Sequence, residues 1–188
     1  MRAIPVSQVR AKIMVAFLSA LVCLLLVAGA GRAAEVSDFV GDYTGSADVV
    51  SADGSTITRD MSVSISETKH GFIVKWTSAT HKPDGRIKEK SYSIDFVPSD
   101  REGIYAAAMT RNVFGHAVQL DPMKGEPFVW GRIAGDTMTV YSLFVDDEGG
   151  YELQQFDRTL AEGGLMLDFT NLRNGDKQRS VSTFLAKQ

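Results

Sequence analysis

Beyond residue 37 apolar positions recur at every second residue rather than at helical spacing. Met61-Ser62-Val63-Ser64-Ile65-Ser66 alternates strictly, so an extended chain sets Met61, Val63 and Ile65 on one face and the serines on the other. Lys69-His70-Gly71 reads as a tight turn in which glycine tolerates positive φ, and Phe72, Val74 and Trp76 follow at period two. Pro83-Asp84-Gly85 is a turn signal, and beyond it Tyr92, Ile94 and Phe96 alternate with Ser91, Ser93 and Asp95. Two further runs, Phe128 to Ile133 and Thr137 to Val145, flank a hairpin signal at Ala134-Gly135-Asp136. Asp147-Glu148-Gly149-Gly150 precedes the run from Tyr151 to Leu160, and Glu162-Gly163-Gly164 precedes Leu165, Leu167 and Phe169. Asn174-Gly175, the strongest turn dipeptide in the chain, leads to a last strand over Ser180 to Ala186, since both centres of a type I′ turn need positive φ.

The pattern predicts an all-β fold, an antiparallel up-and-down barrel of about eight to ten strands, because tight turns recur roughly every ten residues and closure removes both exposed edges. The stretch from Pro98 to Pro127 breaks the rhythm. Within it Asn112 to Met123 carries Phe114, Leu120 and Met123 without a period, which suits a lid, a binding loop or a plug at one barrel end.

The first residues have a different character. Arg2, Arg10 and Lys12 precede an uncharged apolar run from Ile13 to Ala30, and small residues follow through Ala34. A basic start, an apolar middle and an A-x-A-like end predict a secretory signal peptide over residues 1–34, drawn as a helix, with cleavage after Ala30, Ala33 or Ala34. An uncleaved anchor is the competing reading, since the run could just span a bilayer. Residues 35–188 then form one domain, exported to the periplasm or secreted, with no stable membrane span after signal removal.

Export changes the chemistry that is open to the chain. Cys23, the only cysteine, lies inside the leader, so the mature part offers no disulfide, thiol nucleophile or thiolate metal site. The leader holds Arg2, Arg10, Lys12 and Arg32 and no acid, which leaves 16 basic against 23 acidic side chains, a net of −7. That balance argues against nucleic acid and anionic membranes as partners.

Motifs for catalysis and metal binding are weak. His70, His81 and His116 form no local pair, and Asp146-Asp147-Glu148 lacks the alternating oxygen ligands of a calcium loop. No serine lies in a G-x-S-x-G context and no phosphate-binding glycine pattern occurs. Asp157 with Asp168, or Glu152 with Asp95, are the carboxylates that could form an acid–base pair, but strand carboxylates usually point at water. The expectation is therefore a non-enzymatic protein with no catalytic residues, no metal and no cofactor. Two arginines stand on aromatic faces: Arg132 with Phe128 and Trp130, and Arg158 with Phe156 and Leu160. If either face turns inward, its guanidinium needs a partner and would anchor a carboxylate or phosphate; stems lying along an outer surface with heads in water is the favoured arrangement.

Near the start of the mature chain, Phe39-Val40-Gly41-Asp42-Tyr43 resembles the opening G-x-W pattern of the lipocalin-like (calycin) barrels, with Tyr43 where tryptophan is usual. That family sets an arginine of its last strands over the aromatic, and the resemblance implies Arg173 or Arg179 in that role. It also implies a closed barrel with a cup for an apolar small molecule. The middle of the chain carries no such likeness, and the chain looks equally like secreted bacterial β proteins to which no activity attaches. The leading expectation is an exported barrel binding an apolar or amphiphilic small ligand, with Phe72, Trp76, Phe128, Trp130 and Phe169 as ligand-binding residues. The alternative is a structural or protein-interaction module of the cell envelope with a filled core, its partner an envelope protein.

Overall fold

The computed structural model describes residues 34–51, 54–82, 84–108, 110–111, 117–118 and 120–188. Residues 1–33 of the expected signal peptide, Pro83 of the expected turn and Asn112 to His116 lie outside the described residues. A short helix α1 (Val36–Phe39) leads into strands β1 (Gly41–Ser51), β2 (Thr56–Thr68), β3 (Gly71–His81), β4 (Ile87–Pro98) and β5 (Ile104–Ala108). The two-residue strands β6 (Thr110–Arg111) and β7 (Ala117–Val118) and a 3-10 turn (Pro122–Lys124) follow. The chain ends with β8 (Phe128–Ala134), β9 (Thr137–Val145), β10 (Tyr151–Ala161), β11 (Gly164–Arg173) and β12 (Asp176–Lys187).

Ten strands close into one antiparallel barrel in the order β1-β12-β11-β10-β9-β8-β5-β4-β3-β2, while β6 and β7 pair apart from it. Each barrel strand pairs with its neighbour in sequence, apart from the step from β5 to β8, and β1 meets β12 to seal the ring. The meander read from alternation is thus correct. The exception is β5, a strand hidden at the start of the irregular stretch, which completes the wall between β4 and β8. Asn174 at φ 51° and Gly175 at φ 90° take the paired positive angles expected at the β11–β12 turn. Gly71 does not act as expected: it begins β3 without a positive φ, and a Cβ there would overlap the carbonyl oxygen of Phe96 on β4. Close packing of two strands, not turn conformation, excludes a side chain at that position.

The interior divides into two halves. At the end where α1 lies, Phe39, Tyr43, Val63, Ile65, Phe72, Val74, Ile94, Phe96, Ile133, Met138, Val140, Leu165 and Leu185 form a filled core. Phe72 stacks on Phe96 at 5.0 Å and meets Tyr105 edge-on at 4.9 Å. Inward-facing Gly131 leaves room for the Phe96 ring, whose atoms stand 3.2 Å from where a Cβ would be. Each large side chain removed from water here contributes about 1.5–3 kcal/mol, so this half carries the stability of the fold. The Tyr43 hydroxyl donates to the Phe39 carbonyl at 2.8 Å, tying α1 to β1 as a stopper.

Above Tyr43, Lys187 of β12 donates to the Val40 carbonyl at 2.8 Å and holds its ammonium 5.7 Å from the centre of the Tyr43 ring. A cation of the last strand does cover the aromatic of the first, but it is a lysine and not one of the expected arginines. Arg173 is exposed and pairs with Asp146 at 3.3 Å, and Arg179 lines the opposite half of the barrel.

Candidate functional site

Toward the β1–β2, β3–β4, β9–β10 and β11–β12 turns the barrel is not filled. A cavity of about 340 Å³ opens there, within the size range of small-ligand sites. Register explains its lining. Gln154, Phe156 and Arg158 of β10 face Asn171, Phe169 and Leu167 of β11, and Asn171 and Phe169 in turn face Arg179 and Val181 of β12. Opposite them, Arg59 and Met61 of β2 lie beside Thr80 and Ser78 of β3, which lie beside Lys88 and Lys90 of β4.

Aromatic rings make the floor. Phe169 lies 4.7 Å from Phe156, Phe156 lies 5.5 Å from Trp76, and Trp76 stacks on Tyr92 at 5.1 Å. This chain of rings crosses from β11 to β4 and separates the dry half of the barrel from the cup.

The charge lining this cup is of one sign. Arg59, Lys88, Lys90, Arg158 and Arg179 border it, and among the described residues no aspartate or glutamate does. Arg158 is the extreme case at 1% exposure. Its Nε and Nη1 have no hydrogen-bond partner among the described residues, and its guanidinium carbon stands 5.7 Å from the centres of both the Trp76 and the Phe156 rings. Burial pushes its pKa down to about 10, and Asp157 only partly offsets this. Asp157 faces the other side of β10, where its oxygens accept from Thr139 at 2.6 Å and Gln155 at 2.6 Å. Cation–π contact stabilises a desolvated arginine by about 2 kcal/mol, whereas desolvation costs several, so the protein alone does not neutralise this charge. Arg59 repeats the pattern: its Nε is buried without a partner, and burial first, then the nearby Arg179 charge, hold its pKa below the usual guanidinium value.

Glu152, on the inward face of β10 beyond Gln154, is engaged. Glu152 Oε1 accepts from Gln154 Nε2 at 2.7 Å and from Asn171 Nδ2 at 2.8 Å. Asn171, at 2% exposure, is left with an Oδ1 that has no donor among the described residues.

The five aromatic positions expected to bind ligand separate into three groups. Trp76 and Phe169 line the cup. Phe72 faces inward but sits in the filled half at 1% exposure. Phe128 and Trp130 correct the expectation: they stand on the outer wall, where Trp130 stacks on Tyr141 at 4.7 Å and Phe128 is 37% exposed. Both phases of β8 are apolar, and bulk favours the wrong one; the smaller Val129, Gly131 and Ile133 face in because their β9 neighbours Ser142, Val140 and Met138 do. Arg132 follows Trp130 outward and is exposed, while Arg158 turns inward. The polar lining Arg59, Lys88, Lys90, Gln154, Asn171 and Arg179 was not anticipated, because inward polar residues read as solvent-facing when each strand is taken alone.

The carboxylate pairs do not form a catalytic arrangement. Asp157 and Asp168 are cross-strand neighbours on the outer wall, and Asp95 and Glu152 lie on different faces of different strands. Among the described residues no group of histidines and acids is placed to hold a metal ion. Compared with known proteins, the chain matches no family model and no curated sequence.

Proposed function

We infer that this protein is an exported, non-enzymatic carrier whose barrel takes one small amphiphile by an acidic head. The observation that carries the reading is Arg158, a buried guanidinium with unused donors at an aromatic floor. A carboxylate or phosphate oxygen would satisfy those donors in a low-dielectric site, where a charge-assisted pair is strong. Trp76, Phe156 and Phe169 would hold the apolar part of the ligand, and the cations of the lip would draw an anion toward an otherwise acidic protein. Closure of ten strands with a half-empty interior, and Lys187 over Tyr43 next to α1, favour kinship with the lipocalin-like barrels. The apolar start of the chain supports export to the periplasm or beyond.

Calorimetric titration with dodecanoate, dodecyl phosphate and dodecanol tests this. The two anions should bind at micromolar concentration and the alcohol at least tenfold more weakly. Equal binding of all three, or none, would end the carrier reading. An envelope interaction module remains the second reading, favoured by the Phe128, Trp130 and Tyr141 rings that stand outside the barrel.

A further inference from the structure

Asn171 carries information about the ligand that Arg158 does not. Its amide could in principle face either way. Glu152 Oε1 decides the matter, because a carboxylate oxygen accepts only and must meet the Nδ2 side. The same oxygen takes Gln154 Nε2, so Gln154 and Asn171 are fixed together as cross-strand neighbours. Oδ1 is thereby left as a buried acceptor without a donor. Arg179 stands across from Asn171 in the β11–β12 register without bonding to it. An unmet buried acceptor destabilises the empty protein unless something supplies a proton donor.

The fold also sets how far that donor lies from the acid. The Arg158 guanidinium rests beside the Phe156 ring, and Phe156 is one inward-facing position below Gln154, the neighbour of Asn171. Two residues of extended strand are on the order of 7 Å. A head whose oxygens meet Arg158 and whose donor meets Asn171 therefore carries that donor on the side of the acid and not at the far end of its chain.

We propose, building on the carrier reading above, that Asn171, positioned by Glu152, makes the cup select acids bearing a hydroxyl or amide N–H close to the acidic group, such as 3-hydroxyacyl or N-acylamino acids. The carboxylate takes the donors of Arg158, the hydroxyl or amide donates to Asn171 Oδ1, and the chain lies along Trp76, Phe156 and Phe169.

Calorimetry with dodecanoate, 3-hydroxydodecanoate and 12-hydroxydodecanoate on the purified full chain tests the selection. The 3-hydroxy acid should bind about tenfold more tightly than dodecanoate, and the 12-hydroxy acid should show no gain. Asn171→Leu should erase the preference, so that dodecanoate and its 3-hydroxy form bind with equal affinity. Glu152→Gln should weaken it, because a glutamine oxygen and amide can meet either face of Asn171, and this variant keeps the test open should Asn171→Leu fail to fold. Equal affinity for dodecanoate and its 3-hydroxy form, an equal gain for the 12-hydroxy form, or a preference that survives both substitutions would overturn the assignment and leave the carrier reading standing. Failure of every acid to bind would overturn both.

Discussion

The ammonium of Lys187 stands 5.7 Å from the centre of the Tyr43 ring and donates to the Val40 carbonyl at 2.8 Å, so the last strand clamps the entry to the first. The clamp closes the filled end of the barrel, together with the Tyr43 hydroxyl on the Phe39 carbonyl. Tyr43→Phe leaves that carbonyl without its donor and should cost about 1–2 kcal/mol. Lys187→Met should lower the melting temperature by a few degrees, and Lys187→Arg should restore it, since a guanidinium can reach both the ring and the carbonyl. Thermal unfolding by circular dichroism checks all three. An unchanged Lys187→Met would reduce the clamp to a surface contact.

Gly71 and Gly54 separate two uses of glycine. At Gly71 a side chain would collide with the Phe96 carbonyl, so Gly71→Ala must push β3 and β4 apart at the stack of Phe72 on Phe96. A loss of about 2–4 kcal/mol is expected. Gly54 has φ +80° and open space around its Cβ position, so Gly54→Ala should cost only about 1 kcal/mol of backbone strain. Urea unfolding midpoints rank the two, and a milder Gly71→Ala would contradict the packing seen here.

The two tryptophans report different surfaces. Trp76 lies on the cup floor beside Phe156, and Trp130 stacks on Tyr141 outside the barrel. An anionic amphiphile should therefore change the fluorescence of wild type and of Trp130→Phe alike, and leave Trp76→Phe almost unaffected. A signal that follows Trp130 instead would move the binding surface to the outer wall.

These placements mark where the one-dimensional pattern was sufficient. Alternation in Met61 to Ser66 and the Asn174-Gly175 turn are local properties of the backbone, and both reappear in the barrel. β5 was not legible: Ile104–Ala108 is short and lies in a stretch without a period. The inward phase of β8 was decided by pairing with β9, and no property of Phe128 or Trp130 alone reveals it. The cup was legible at Trp76 and Phe169, whereas Arg158, which shares a face with Phe156, was expected to lie along an outer surface and instead turns inward. Arg59 of β2 meets Asn171 and Arg179 of the β11–β12 hairpin only after the ring has closed, across a long stretch of sequence.

Arg158 should weaken the empty protein while enabling its function. The group has no acidic partner to strand, so Arg158→Met replaces a desolvated charge by an apolar side chain of similar length without leaving a new orphan. The melting temperature should hold or rise by about 2–4 °C, and binding of dodecanoate should fall at least tenfold. Were the residue a structural keystone instead, the same substitution would cost about 3–5 kcal/mol and the protein would melt early. Differential scanning calorimetry with and without ligand distinguishes the outcomes.

The same residue gives binding a dependence on alkaline pH. Burial lowers the Arg158 pKa in the empty cup to about 10. The folded value lies below the unfolded one, so the stability penalty of the buried charge is present in full below pH 10. It is lifted as pH rises from there toward the ordinary arginine range, where the folded chain has released the proton and the unfolded chain has not. Ligand affinity moves the other way. An acid binds the charged guanidinium, so above pH 10 each binding event must also take up a proton, and the dissociation constant should rise about tenfold per pH unit. Below pH 9 it should be flat. The experiment is best done in a Lys88→Gln, Lys90→Gln background, which among the described residues leaves arginine as the only kind of cation lining the cup. Measured from pH 8 to 11 with dodecyl phosphate, the break should vanish in Arg158→Met along with most of the affinity. A break that persists without Arg158 would assign the anion to Arg59 and Arg179 at the lip, and the floor would lose its role in binding.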